Sequence, residues 1–506
     1  MTDAKDTAAP VAPAAGDDVF AELEPHAFWR RFETLTTIAR PSRHEEPAAA
    51  HVKEWGAERG FDVVGDEIGN LVVRVPATEG RAAAPTVVLQ GHLDMVCERA
   101  PDSPYDPAEG RIRVLRDGDW LTADGTTLGA DDGVAIAAMM ALVDDPELPH
   151  GPLELLMTVR EEVGLEGVQA LDGSMVTGTI LLNLDSEEDG RLTVGCAGST
   201  DTWVRIDAPR EPVGADDVAL TVTVSGGKGG HSGTGIAMGR SNAVKALGRA
   251  LRETLASVPF RLASLDGGKS RNAIPRDATA VCVVDAARAE DFRAALATAA
   301  ASIRDAYRTT DPEVDVVASD AAVPGDAWTA DATKRLLAVL ALVPTGPLSL
   351  SPDFDGMVEL STSLGEAITE GSRLTLHSLT RSSNGPLLAD VISALDAAAR
   401  LGGGELEVKH NYSAWRPDLS SGTLAVAVEV FERVLGEKPI VTAVHAGLES
   451  AVIGDKVAQP LDMLSFGPQI EFPHSPDERV SVPTVERFWR LLVGLVDELS
   501  RPGGRP

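Results

Sequence analysis

Between Pro25 and Gly198 apolar positions recur first at helical and then at strand spacing. Amphipathic periodicity predicts helices near Ala27–Ala39 and Glu46–Arg59, with Pro41 punctuating between them. Short apolar runs follow at Leu71–Val75, Thr86–Gln90, Leu153–Val159 and Ile180–Leu184, and an Ala-rich helix is expected over Gly133–Val143. Nearly continuous apolar strands suit a sheet covered by helices on both faces. Ligands of such sheets gather at the carboxyl ends of the strands, so chemistry is expected just after each run.

From about Ser199 to Gly403 the pattern changes. Strands alternate more clearly (Ala219–Val224, Thr279–Val284), and Ala-rich helices follow at Asn242–Leu255, Glu290–Tyr307 and Thr333–Leu342. The order strand, helix, strand, strand, helix suggests an α+β unit present twice, although the two stretches are too dissimilar to count as a repeat. Beyond Gly404 come an alternating stretch at Glu407–Tyr412, a helix near Thr423–Leu435 and a final helix over Pro483–Leu499. The expected organisation is a disordered Ala/Pro/Asp-rich tail over residues 1–19 and a discontinuous first domain over 20–198 and 405–506. A second domain, 199–404, is inserted within it.

Composition narrows the function classes. The 506 residues carry 45 Lys+Arg against 77 Asp+Glu, a net charge of −32. With no basic stripe, this argues against nucleic-acid binding and against docking on anionic lipid. Most of the acids read as a solubilising surface. The longest strictly apolar run, Val134–Val143, has ten residues, about half a membrane span. The N-terminus lacks a basic start and a leucine-rich stretch, so no signal peptide is expected. Three scattered cysteines, Cys97, Cys196 and Cys282, suit a reducing compartment, and a cytoplasmic protein is expected.

The candidate chemistry follows the apolar runs. VVLQGHLDMV puts His92 and Asp94 on one side of an extended chain, where Asp94 can accept from His92 and select the imidazole nitrogen that faces a metal. Alone the pair is weak, since a surface histidine beside an acid is commoner. LGADDGV places Asp131 and Asp132 in a turn opening a helix; one aspartate would serve as an N-cap, but two exceed that need. One of them could bridge two cations through its two oxygens. Glu161 and Glu162 in VREEVG are adjacent like charges at the end of an apolar strand, which calls for a compensating cation or solvent. Asp185 follows a fourth strand, and His474 lies in a Pro-bounded loop. The combined His/Asp/Glu set is one that zinc prefers, with cobalt or manganese as alternatives. There is no HExxH, the GKS at Gly268 lacks the earlier glycine of a phosphate loop because Ala263 stands there, and GGHSGTG fails the GxSxG spacing.

Taken in order, GHLDMVCE, LGADDG, REEVGLEG, NLDSEE, GGHSG, RNAIP, LTRSS, HAGLE and HSPDE resemble the M20 family of co-catalytic di-zinc metallopeptidases. Within that family the chain is similar to the bacterial aminoacyl-histidine dipeptidases (peptidase D, Xaa-His dipeptidase). The resemblance implies an α/β di-zinc peptidase catalytic domain with an inserted α+β lid domain. It implies that His92 and Asp185 bind one metal, that Glu162 and His474 bind the other, and that Asp131 bridges them ahead of a cis peptide to Asp132. Asp94 would orient His92, and Glu161 would be the general base on a metal-bridged water. His231 in GGKGGHSG would stabilise the oxyanion, against the plainer reading of a surface histidine in a Gly-rich turn. Asn272 and Arg381 would hold the backbone and carboxylate of the substrate.

The implied activity is metal-dependent hydrolysis of dipeptides, Xaa-His dipeptides included, by a homodimer that uses two divalent ions, zinc first. The partner is a small peptide, not nucleic acid or membrane. An M20-type N-acyl amino acid deacylase or a tripeptidase would carry the same metal motifs. A catalytically inactive binding relative is the other class, and the intact Glu161 speaks against it.

Overall fold

The computed structural model describes residues 19–501, so the expected tail over 1–19 lies, apart from Val19, outside the described residues. The chain forms two compact units. The first comprises residues up to Val194, Asp418–Thr442 and Val452 onward; the second comprises Gly195–Pro417 and Ala443–Ala451.

The first unit is built on a mixed sheet. Its neighbours run Asp62–Gly65, Leu71–Val75, Leu153–Thr158, Val87–His92, Ile180–Asn183 and Asp462–Ser465, with Ser465 then paired to Thr193. The strands Leu153–Thr158, Val87–His92, Ile180–Asn183 and Asp462–Ser465 are mutually parallel. All residues of the strands at 87–92, 153–158 and 180–183 are buried, which is why they read as nearly continuous apolar runs. Their carboxyl ends share one side, so His92, the Glu161–Glu162 pair and Asp185 leave the sheet together. The helix Ala130–Asp144 is buried from Ala130 to Leu142, which explains its Ala/Met composition and its lack of a polar face. The first helix ends at Leu35 rather than running on to Ala39: the Thr36 hydroxyl turns back to the Glu33 carbonyl, and the chain leaves toward the buried Arg40.

The second unit carries a single antiparallel nine-stranded sheet. Its order is Asp315–Ala321, Asp217–Ser225, Ala278–Asp285, Arg261–Gly267, Val358–Glu370, Arg373–Ser382, Gly198–Asp207 and Glu405–Tyr412, with Gly346–Leu350 added on Val358–Glu370. Helices Ala243–Leu255, Ala289–Tyr307, Ala330–Leu342 and Gly385–Leu401 contribute to one core with Val204, Ile206, Leu220, Val222, Leu374 and Leu376. The two stretches expected as separate copies therefore contribute to one sheet. The boundary expected at 405 also moves. Glu405–Tyr412 pairs with Gly198–Asp207, so residues up to Pro417 stay with the second unit, and Ala443–Ala451 joins it as well.

Cys97, Cys196 and Cys282 are free thiols. Among the described residues no helix is long and apolar enough to cross a membrane.

Candidate metal centre

The residues expected as metal ligands, with Asp94 and Glu161, all lie in the first unit. Asp131 is the hub. Its Oδ1 is 3.0 Å from His92 Nε2, which in turn lies 3.6 Å from Asp185 Oδ1. Its Oδ2 is 3.0 Å from His474 Nε2, and that nitrogen is also 3.0 Å from Glu162 Oε2. The carboxylate thus faces one His/acid pair with each oxygen. The peptide bond from Asp131 to Asp132 is cis. Asp132 turns the other way, and its Oδ2 accepts the His92 N–H at 3.1 Å. A Cβ at position 91 would lie 2.4 Å from that oxygen, so only glycine leaves Asp132 room.

The loops that present these groups are held from below. Asp94, fully buried, accepts from the Glu161 and Glu162 N–H groups at 3.0 and 3.2 Å and from the Ser42 hydroxyl at 2.7 Å. His92 Nδ1 meets the Asp94 main-chain carbonyl at 3.0 Å, with the Asp94 carboxylate at 3.5 Å. The side chain therefore pins the two glutamates more directly than it orients the imidazole. Glu478 is a further support; it ends HSPDE, but the sequence reading gave it no role. Its carboxylate, 2% exposed, accepts the N–H groups of Leu128, Gly129, Ala130 and Asp131 at 2.7–3.3 Å. Arg40, equally buried, donates to the carbonyls of Leu93, Asp94 and Gly129 and places its charge opposite Glu478.

The electrostatics describe a site crowded with acids. Burial and then the charge of Asp185 push Asp132 well above the usual carboxylate range. Burial, with Asp131 and Glu162 nearby, pushes Asp185 up to about 6 even against His92. Glu187, which the sequence did not single out, is pushed up to about 8 by burial and by Asp131 and Asp185. The imidazoles are raised as well, which favours their charged form among these acids. Hydrogen bonds to Asp131 and Glu162 raise His474 to about 11. For His92 burial acts downward, but Asp185 and hydrogen bonds to Asp131 raise it well above its ordinary value. Glu162 Oε1 is buried without a hydrogen-bond partner. An orphaned carboxylate oxygen in a cluster of like charges is what a bound cation would satisfy. Among the described residues three groups of ligand atoms lie close enough to hold an ion: His92/Asp132/Asp185, His92/Glu161/Glu162 and Asp131/Glu162/His474. The mixed N/O donors fit zinc-like divalent ions.

The sequence profile described as peptidase family M20/M25/M40 matches residues 88–498. The chain belongs to that family. The cytosol non-specific dipeptidase of Escherichia coli (strain K12) is 35% identical over 479 residues, covering 95% of this chain and 99% of the relative. The crystal structure of aminoacylhistidine dipeptidase from Vibrio alginolyticus superposes with a TM-score of 0.85 at 35% identity, over 94% of this chain and 97% of that one. Aminopeptidase PepT from Bacillus cereus shares the fold, with a TM-score of 0.55 at 16% identity over 95% of this chain and 100% of that one.

In this M20/M25/M40 chain the other expected residues belong to the second unit. His231 and Asn272 are brought together by a short ladder that pairs His231 with Ala273. The Ser232 N–H also donates to the Asn272 carbonyl at 2.8 Å. The His231 Nδ1 accepts N–H groups from Gly233 and Thr234 at 3.3 and 3.2 Å. Its Nε2 therefore carries the proton and is the donor, and burial followed by the Arg381 charge keeps the ring neutral by lowering its pKa. A Cβ at Gly233 would meet His231 Cε1 at 3.1 Å and Arg381 Nε at 3.2 Å, so those two side chains flank this glycine. Arg381 donates to the Tyr412 hydroxyl at 2.8 Å, while its Nε is buried without a partner. His445, bonded to the Ser361 hydroxyl at 2.7 Å, is pushed down to about 4 by burial, Arg381 and His231. The sequence reading gave Tyr412 and His445 no role: His445 opens HAGLE and Tyr412 ends Glu407–Tyr412, but neither is set apart there from its neighbours.

Proposed function

We propose that this chain is a metal-dependent dipeptidase that hydrolyses dipeptides, Xaa-His dipeptides among them. The observation that carries the reading is Asp131, one oxygen of which meets His92, itself beside Asp185, while the other meets His474, itself beside Glu162. His92 and Asp185 would hold one divalent ion, His474 and Glu162 the second, and Asp131 both. Zinc is the first choice for this donor set, with cobalt or manganese as substitutes. When bound, two such ions would acidify a shared water and polarise the scissile carbonyl.

The residues of the chain do the rest. Glu161 takes the proton of the attacking water and returns it to the leaving amine. Asp94 fixes the backbone of Glu161 and Glu162, so the base and its neighbouring ligand keep their spacing. In the second unit, His231 offers an Nε2–H to the developing oxyanion. Arg381 holds the free carboxylate through its guanidinium, and Asn272 holds the substrate backbone. A carboxylate grip of this kind selects short substrates. The relatives' similarity over nearly the whole chain supports a dipeptide substrate and a cytosolic setting.

The test is a panel of Xaa-His and other dipeptides, tripeptides and N-acetyl amino acids, assayed with and without chelator. Dipeptides should turn over, and the chelator should abolish turnover. No hydrolysis of any dipeptide by metal-replete protein would overturn the reading. Preference for N-acetyl amino acids or tripeptides would move the chain to a deacylase or tripeptidase.

A further inference from the structure

Arg381 is buried and has no ion pair among the described residues. Its Nη1 donates to the Tyr412 hydroxyl at 2.8 Å, while its Nε is buried without a partner. A guanidinium presents its donors along edges, and the Nε–Nη2 edge can meet a carboxylate with two parallel hydrogen bonds. With Nη1 engaged by the phenol, that edge is the one left for an anion.

Tyr412 owes its place to a register shift. In the sheet of the second unit, Gly198–Asp207 lies between Arg373–Ser382 and Glu405–Tyr412. On one side Ser199 stands opposite Arg381; on the other, Thr200 stands opposite His410. Unbroken pairing would then set Asn411 against Ser199 and turn Tyr412 to the other face. The ladder instead skips Asn411, and Tyr412 takes the position opposite Ser199, in one row with Arg381. An extra residue of this kind re-aims the side chain that follows it.

The skipped residue holds the shift in place. The Asn411 amide donates to the Ser199 hydroxyl at 3.2 Å and to Asp201 at 2.8 Å. Asp201 is buried and bonded in turn to His377 at 2.7 Å. From another side, a Cβ at Gly447 would fall 2.5–2.6 Å from the Tyr412 ring and hydroxyl, so glycine leaves the phenol its place.

We propose that Tyr412 is a positioning residue for substrate selection: its hydroxyl locks the Arg381 guanidinium so that the Nε–Nη2 edge meets the free C-terminal carboxylate of the substrate. The proposal rests on the dipeptidase reading, in which Arg381 takes that carboxylate. A phenol suits the task because its oxygen accepts from the cation without adding a charge. An acid at the same position would neutralise Arg381 and compete with the substrate.

The experiment compares wild type with Tyr412→Phe, which keeps the ring and removes the hydroxyl, both metal-loaded and with metal content and unfolding midpoint measured. For Ala-His, KM should rise about tenfold, the scale of one hydrogen bond made by a charged group, with kcat within about twofold. For Ala-His carrying a C-terminal amide, the two proteins should share one kcat/KM. In an Arg381→Ala background, Tyr412→Phe should change nothing further. Calorimetry in a Glu161→Ala background reads binding without turnover: Ala-His should bind more tightly than its amide, and Tyr412→Phe should remove most of that difference. An equal loss for acid and amide, an undiminished loss without Arg381, or Ala-His kinetics unchanged from wild type would overturn the role of Tyr412. Absence of any dipeptide turnover by metal-replete wild type would instead overturn the dipeptidase reading, and the calorimetric arm would still decide the role of Tyr412.

Discussion

Glu478 places one carboxylate under four successive N–H groups, from Leu128 to Asp131, in the turn that presents Asp131. Charge-assisted hydrogen bonds of this kind contribute about 1.5–3 kcal/mol each, less when several share one acceptor. Glu478→Gln keeps the shape but turns an NH₂ donor toward N–H donors. It should lower stability by about 2–4 kcal/mol and weaken metal binding by about tenfold or more, the usual scale for groups that orient ligands. Denaturant unfolding and chelator competition measure the two effects; metal affinity equal to wild type would show that the turn does not depend on Glu478. At this scale the proposed ligands were legible because each is an acid or histidine that follows a buried strand, opens a buried helix or sits in a Pro-bounded loop. Glu478 was not: in PDERV it looks like one more surface acid, and its partners are backbone groups some 350 positions away. The same blindness affected Asp94, whose carboxylate proved to serve the glutamate backbone more directly than the imidazole.

The elements that carry the site differ in how plainly they were written. Leu71–Val75 and Ile180–Asn183 are apolar but for Arg74 and Asn183 and were read almost to the residue. Val358–Glu370 and Arg373–Ser382 were missed, since one face of each is polar and a register shift between Leu364 and Glu366 breaks the alternation. That polar face holds a network of its own. His377, 5% exposed and stacked on Trp203, bonds Asp201 at 2.7 Å and Glu366 at 3.0 Å. Asp201 also takes Arg271 at 2.6 Å and Asn411 at 2.8 Å, which anchors the residue before Asn272. Burial acts downward on His377, but its bonds to Asp201 and Glu366 raise its pKa overall. A raised histidine stabilises the fold fully below its unfolded pKa of about 6.5, and the contribution is lost as pH climbs through the higher folded value. Asp201 is lowered, burial notwithstanding, by His377 and Asn411, so its own contribution is complete above the usual aspartate range and constant in this window. Against wild type, His377→Gln should therefore be less stable by about 1–3 kcal/mol near pH 5.5, with the deficit shrinking toward pH 9. Unfolding midpoints across that range check it, and a deficit that grows with pH would contradict the charged His377.

On the scale of the whole molecule, a net charge of −32 excluded partners but named no chemistry. The division into two units was legible in the change of strand pattern near residue 199. Its exact return was not, because Glu405–Tyr412 and Ala443–Ala451 read as ordinary chain until their pairing is seen. The proposed centre holds two ions, with Glu161 doing chemistry and His474 holding metal. The measurement that tests it most directly is a zinc titration of metal-stripped protein, following hydrolysis of alanyl-histidine together with bound metal. Wild type should gain activity up to two ions per chain and then level off. Glu161→Ala should bind the same two ions with turnover lower by about 10²–10⁴-fold, and His474→Ala should bind fewer. Full turnover without metal, a plateau at one ion, or wild-type rates from Glu161→Ala would contradict the account.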